Sequence, residues 1–142
     1  MFLLHPLLQF AALLVAFYVL KLGIVRFMMV HLKRRTRFNW KKHVRYGLVA
    51  TIVWLAGLFG GLYVVKTAWK GVFITGLHAK LALILVPFIV FAIVSGVYMD
   101  KIKKKRRVLP LVHAGLNIVM LILVLVQVVT GIRVFRVFVL GT

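Results

Sequence analysis

Apolar residues fall into four long blocks, at about residues 2–30, 43–65, 75–99 and 109–134, separated by short polar stretches. A helix needs about 20 apolar residues to cross the roughly 30 Å hydrocarbon core of a bilayer, and each block supplies them. The pattern predicts four transmembrane helices. Linkers this short favour antiparallel neighbours, so the expected fold is all-α: an up-down-up-down transmembrane bundle making one domain over 1–142. The N-terminal block has no basic n-region and no small-residue cleavage site, so it reads as a retained helix and not a cleaved signal peptide.

Composition agrees with the pattern. Hydrophobic residues make up 64% of the 142, and mean hydropathy is +1.10. A soluble domain of this length could not hide that much apolar surface, whereas a bilayer solvates it. Twenty Lys and Arg face a single acid, Asp100, for a net charge of +19. In a soluble protein that excess points to nucleic acid. Here it lies in short segments between apolar spans, so lipid is the expected partner and nucleic acid is not. The first linker holds Lys33, Arg34, Arg35, Arg37, Lys41 and Lys42, and the third holds Lys101 and Lys103 through Arg107. With Lys21, Arg26 and Arg45, 15 of the 20 cations fall on one side of an up-down bundle. That side is expected in the cytoplasm, with both termini outside. Trp40 and Trp69 fall near the interfaces, as aromatic anchors do. Lys21 is expected to snorkel to the interface; the sharper alternative is that Lys21 or Arg26 pairs with an anion inside the bundle.

The same inventory removes whole classes of chemistry. Without cysteine there are no disulfides, thiolate metal sites or C-x-x-C-H attachment of c-type haem. One acid excludes paired-carboxylate acid–base chemistry and carboxylate proton relays. No G-x-x-x-x-G-K phosphate loop occurs.

The five histidines carry the most specific signal. His5 and His78 open helices 1 and 3 on the outer side, and His43 and His113 lie near the inner ends of helices 2 and 4. In a four-helix ring, helices 1 and 3 are diagonal, as are 2 and 4. Each pair of imidazoles can therefore face across the bundle axis with a flat disc between them. Haem would be such a disc: iron accepts imidazole nitrogen, and two such ligands would fill both axial positions, which suits electron transfer. Without an attachment motif both haems would be b-type. His31 lies too far from His5 for both to sit inside the membrane and is expected at the interface. Counting along helix 3 puts the two levels roughly 20 Å apart. The glycines alternate likewise. Gly57, Gly60 and Gly61 on helix 2 and Gly131 on helix 4 lie toward the outer end, and Gly23 and Gly96 toward the inner. Missing side chains there would admit a porphyrin close to the backbone. Gly57-x-x-x-Gly61 also reads as ordinary helix–helix packing. The propionates need cations: Arg45, Lys41, Lys42 or Arg107 inside, and Lys66, Lys70, Lys80, Arg133 or Arg136 outside.

Four segments resemble the cytochrome b561 superfamily, in particular its small bacterial members with only the core helices. They are His5-Pro6-Leu7-Leu8, Thr75-Gly76-Leu77-His78, Leu109-Pro110-Leu111-Val112-His113 and, more weakly, His43 with Gly47. The resemblance implies two b haems held by His5 with His78 and His43 with His113. It also implies residence in a bacterial inner membrane and transmembrane electron transfer as a component, not a stand-alone catalyst. A quinone, a periplasmic cytochrome or a dehydrogenase subunit would be the redox partner, and a homodimer or larger complex the assembly. No segment matches an ascorbate site. Two other classes compete: a haem-free anchor or assembly subunit, whose histidines would tolerate alanine, and a small transporter. The transporter is disfavoured because the midplane is Leu, Val, Ile and Gly.

Overall fold

A computed structural model describes residues 2–142. Four helices follow in order: α1 (Leu4–His31), α2 (Trp40–Trp69), α3 (Leu77–Lys101) and α4 (Val108–Phe135), with a π-helical end at Arg136–Leu140. All four are long and apolar enough to span a membrane, and the chain is a multi-pass membrane protein forming a four-helix bundle. α2 and α4 overrun their apolar blocks at both ends, and α1 and α3 are shifted slightly toward the C-terminus of theirs. α2 begins three residues early because the Asn39 side chain accepts from Lys42 N at 3.1 Å and caps it. It closes at Lys70, in the left-handed region.

Each helix packs on its chain neighbours and α4 closes back on α1, whereas the backbones of α1 and α3, and of α2 and α4, do not approach closely among the described residues. The helices therefore form a ring with those two pairs as its diagonals. The tightest packing is within the hairpins α1–α2 and α3–α4. Trp69 ties one end together: its ring lies 5.3 Å from Phe2 and 5.5 Å from Phe138, so both termini share an end with the α2–α3 turn. The two basic linkers occupy the other.

Burial is sparse, as lipid solvation requires. Leu7, Phe59, Val94 and Val129 are all about three-fifths or more exposed on helix faces that would be intolerable in water. The buried core is one thin layer at mid-bundle, built from Ala12, Leu13, Trp54, Leu85, Ile89, Ala92, Met120 and Val124. It divides the bundle into a basic half and a terminal half.

Gly76 sets the start of α3. Its φ of 56° and ψ of −119° suit glycine alone, and the turn lets His78 N donate to Thr75 O at 3.2 Å. Gly76→Ala is expected to cost about 1–3 kcal/mol through that backbone strain. Thermal unfolding in detergent, read against the unaltered chain, checks it.

Candidate functional site

The structure brings four of the five histidines together as two pairs, one on each side of the apolar layer. In the basic half, the His43 and His113 rings face across the α2–α4 diagonal with centroids 6.5 Å apart and planes at 63°. Hydrogen bonds fix both rings. His43 Nδ1–H donates to the Val19 carbonyl at 3.3 Å. The Ser95 hydroxyl donates to Phe91 O at 2.5 Å, so its oxygen is free to accept from His113 Nδ1–H at 2.7 Å. With the protons on Nδ1, both Nε2 atoms are left as unprotonated donors for a metal.

In the terminal half, His78 Nδ1–H donates to Thr130 Oγ1 at 3.1 Å, and that hydroxyl donates on to Gln127 O at 3.1 Å. Gln127 Nε2 donates to His78 O at 2.9 Å, leaving its Oε1 buried without a partner. The His5 ring has the backbone of Gly57, four residues before Gly61, as its polar neighbour, just as the His43 ring has Val19, four residues before Gly23. His5 lies within electrostatic reach of His78 across the other diagonal. Among the described residues no three His, Cys, Asp or Glu side chains gather as a bare ion's cage would need. The histidines come in twos, which suits a group that brings its own equatorial ligands.

Each of these four histidines rests on a glycine of its hairpin partner. A Cβ on Gly61 would stand 3.1 Å from His5 Cε1, and one on Gly131 would stand 3.1 Å from His78 Cε1. The corresponding distances are 3.6 Å from Gly23 to His43 and 3.7 Å from Gly96 to His113. The arrangement is reciprocal. In every helix the glycine follows the histidine by 18 residues: His5 to Gly23, His43 to Gly61, His78 to Gly96 and His113 to Gly131. Eighteen residues make about five full turns, so both fall on one face of the helix, about 27 Å apart along its axis. Packed antiparallel, each helix of a hairpin offers its glycine to the other's histidine.

Four of the glycines, Gly23, Gly61, Gly96 and Gly131, thus seat imidazole rings, and a Cβ at Gly60 would meet nothing within 4 Å. Gly57 is covered by the Gln9 side chain, which also donates to Val53 O at 3.2 Å. The signal for this geometry, the repeated 18-residue spacing, is present in the sequence.

A cavity of about 1310 Å³ opens in the basic half, lined by all four helices and including His43, His113, Gly23 and Gly96. That exceeds the roughly 300–1,000 Å³ of ordinary small-ligand sites. Arg26, Arg106 and Arg107 also line it, whereas Arg45, Lys41 and Lys42 do not. Arg45, expected to serve this site, is exposed, because two residues past His43 the helix has turned about 200° away from it. Lys21 is exposed too, and His31, ending α1, packs its ring on Phe27 at 4.8 Å. Asp100 is neutralised by Lys103 at 2.9 Å.

No family model, curated protein or solved structure matches this chain.

Ser95→Ala removes the hydrogen bond that orients His113 while keeping the helix. It is expected to weaken retention of a metal-centred ligand in the basic half by roughly 10- to 100-fold, the usual cost of losing an orienting partner. Titration of the ligand-free chain with haemin checks this.

Proposed function

We propose that this protein is a di-haem membrane cytochrome of the b561 type its motifs resemble, carrying electrons across a bacterial inner membrane. His43 and His113 hold one b haem in the basic, cytoplasmic half. His5 and His78 hold the second in the periplasmic half, where both termini lie. Each haem, when bound, supplies a one-electron iron couple with both axial positions filled.

One observation carries the reading: the 6.5 Å separation of the His43 and His113 rings, with both Nε2 atoms free, at the wall of a cavity large enough for a macrocycle. Two imidazoles bound to opposite sides of one metal at about 2 Å each have ring centres roughly 6 to 6.5 Å apart. The terminal half supports the reading in another way. His5 lies within electrostatic reach of His78 across the α1–α3 diagonal, and Thr130 holds the His78 ring as Val19 and Ser95 hold the other pair.

The rest of the chain insulates and holds. The apolar layer around Trp54 and Met120 keeps water and ions out of the space between the levels. Val19, Ser95 and Thr130 fix the ring tautomers. The glycines set how far each ring can swing. The redox partner fits the same frame as a quinone at the interface, a periplasmic cytochrome or a dehydrogenase subunit. Little of the chain lies outside the membrane, so electrons pass to another component.

Sealed vesicles test the function. With the haem-loaded chain in the bilayer, dithionite outside should reduce ferricyanide trapped inside. The His113→Ala chain should not do so above the rate of empty vesicles. Equal rates with and without the protein would contradict transfer across the membrane.

A further inference from the structure

The basic half carries cations that its histidines do not use. Arg106, in the turn between α3 and α4, is held in place on two sides. Its Nη1 donates to Ile102 O at 2.9 Å, and its guanidinium lies 4.7 Å from the Tyr98 ring centre. Its Nη2 is buried and has no partner. Arg26 sits one turn past Gly23 on the same face of α1, with its guanidinium 5.7 Å from the centre of Phe38. Phe38 in turn packs edge-on against His43 at 5.5 Å. Arg26 is within electrostatic reach of both His43 and His113. Both arginines line the cavity, and its one acid, Asp100, is already paired with Lys103. The wall therefore holds no free carboxylate, and of its cations, which include Arg107 and Lys103 through Lys105, Arg26 and Arg106 are the two guanidinium groups stacked on aromatic rings. A buried donor on a charged group without a partner is costly, and a carboxylate is what a guanidinium fork matches best.

We propose that Arg26 and Arg106 form a two-guanidinium anion site that takes the propionate carboxylates of the haem held by His43 and His113. The assignment rests on the haem reading above and replaces Arg45, whose side chain lies outside the cavity. Both arginines act on the iron through charge and position. A cation beside the haem favours the reduced form, which carries one positive charge fewer, so removing it lowers the midpoint potential.

The test is a spectroelectrochemical titration of the full-length, haem-loaded chain in detergent. The component belonging to this haem is the one lost in His43→Ala. Arg26→Gln and Arg106→Gln should each lower its midpoint potential and leave the other component unmoved. Arg26→Lys and Arg106→Lys should restore much of the potential, since charge returns without the fork. Arg45→Gln should change nothing. An unchanged potential in both Gln variants, or an equal shift from Arg45→Gln, overturns the proposal while the haem reading stands. Two further outcomes also overturn it. Native mass spectrometry could show that the double variant loses tightly held phosphatidylglycerol while its potentials stay fixed, assigning the site to a lipid headgroup. An unaltered chain that takes up no haem removes both readings together.

Discussion

His113→Ala is expected to purify with one haem per chain against the two proposed for the unaltered protein, and the missing spectral component should be the one His43→Ala also loses. Both variants remove a ring from the same facing pair, whose members stand 6.5 Å apart. Neither substitution touches the apolar layer that holds the bundle together, so the folded chain and the other haem remain. His5→Ala and His78→Ala should remove the second component and spare the first. His31→Ala should remove neither, because His31 ends α1 against Phe27 and faces no other histidine. A reduced-minus-oxidised spectrum of each variant, with haem counted per chain, reads all of this. Loss of a haem in His31→Ala with retention in His43→Ala would reverse the assignment of the α2 side.

The second large effect belongs to glycine. Gly131→Leu should abolish the haem held by His5 and His78 while leaving the other in place. At Gly131 a Cβ alone would stand 3.1 Å from His78 Cε1, tighter than side chains normally pack, and leucine adds three carbons beyond it. The ring must leave its seat. Gly61→Leu should do the same through His5, at the same 3.1 Å. The helix itself gains, since leucine is favoured over glycine by about 0.8 kcal/mol, so the loss of haem does not report unfolding. Gly23→Ala and Gly96→Ala supply the contrast. Their added methyls would meet His43 and His113 at 3.6 and 3.7 Å, ordinary contact distance, and both haems should be retained. Haem content alongside far-ultraviolet circular dichroism checks the set.

Much of this architecture was legible before any coordinates. Bilayer thickness dictates helix length, so the four apolar blocks marked the four helices. Short linkers dictated the ring, and the ring dictated which histidines share a diagonal. The helix ends were less legible, because a cap such as Asn39 extends α2 through residues that hydropathy assigns to a linker. The alternation of the glycines between the two ends is plain in the sequence, and their common spacing of 18 residues from the histidines, about five helical turns, is the signal for the seats they form. The cations divided by helical phase. Arg26 follows Gly23 by three residues and shares its face, while Arg45 follows His43 by two and does not. Arg106 had no such signal, because its place depends on a turn held by Ile102 O and the Tyr98 ring. Gln127 and Thr130 were missed for a similar reason: their partner, His78, lies on another helix.

The most direct measurement of the central claim is a haem count on the purified, folded, unaltered chain expressed with haem supplied, read with its reduced-minus-oxidised spectrum. Two low-spin b haems per chain is the expected result. A folded chain that binds none would contradict the account and leave a haem-free membrane anchor in its place.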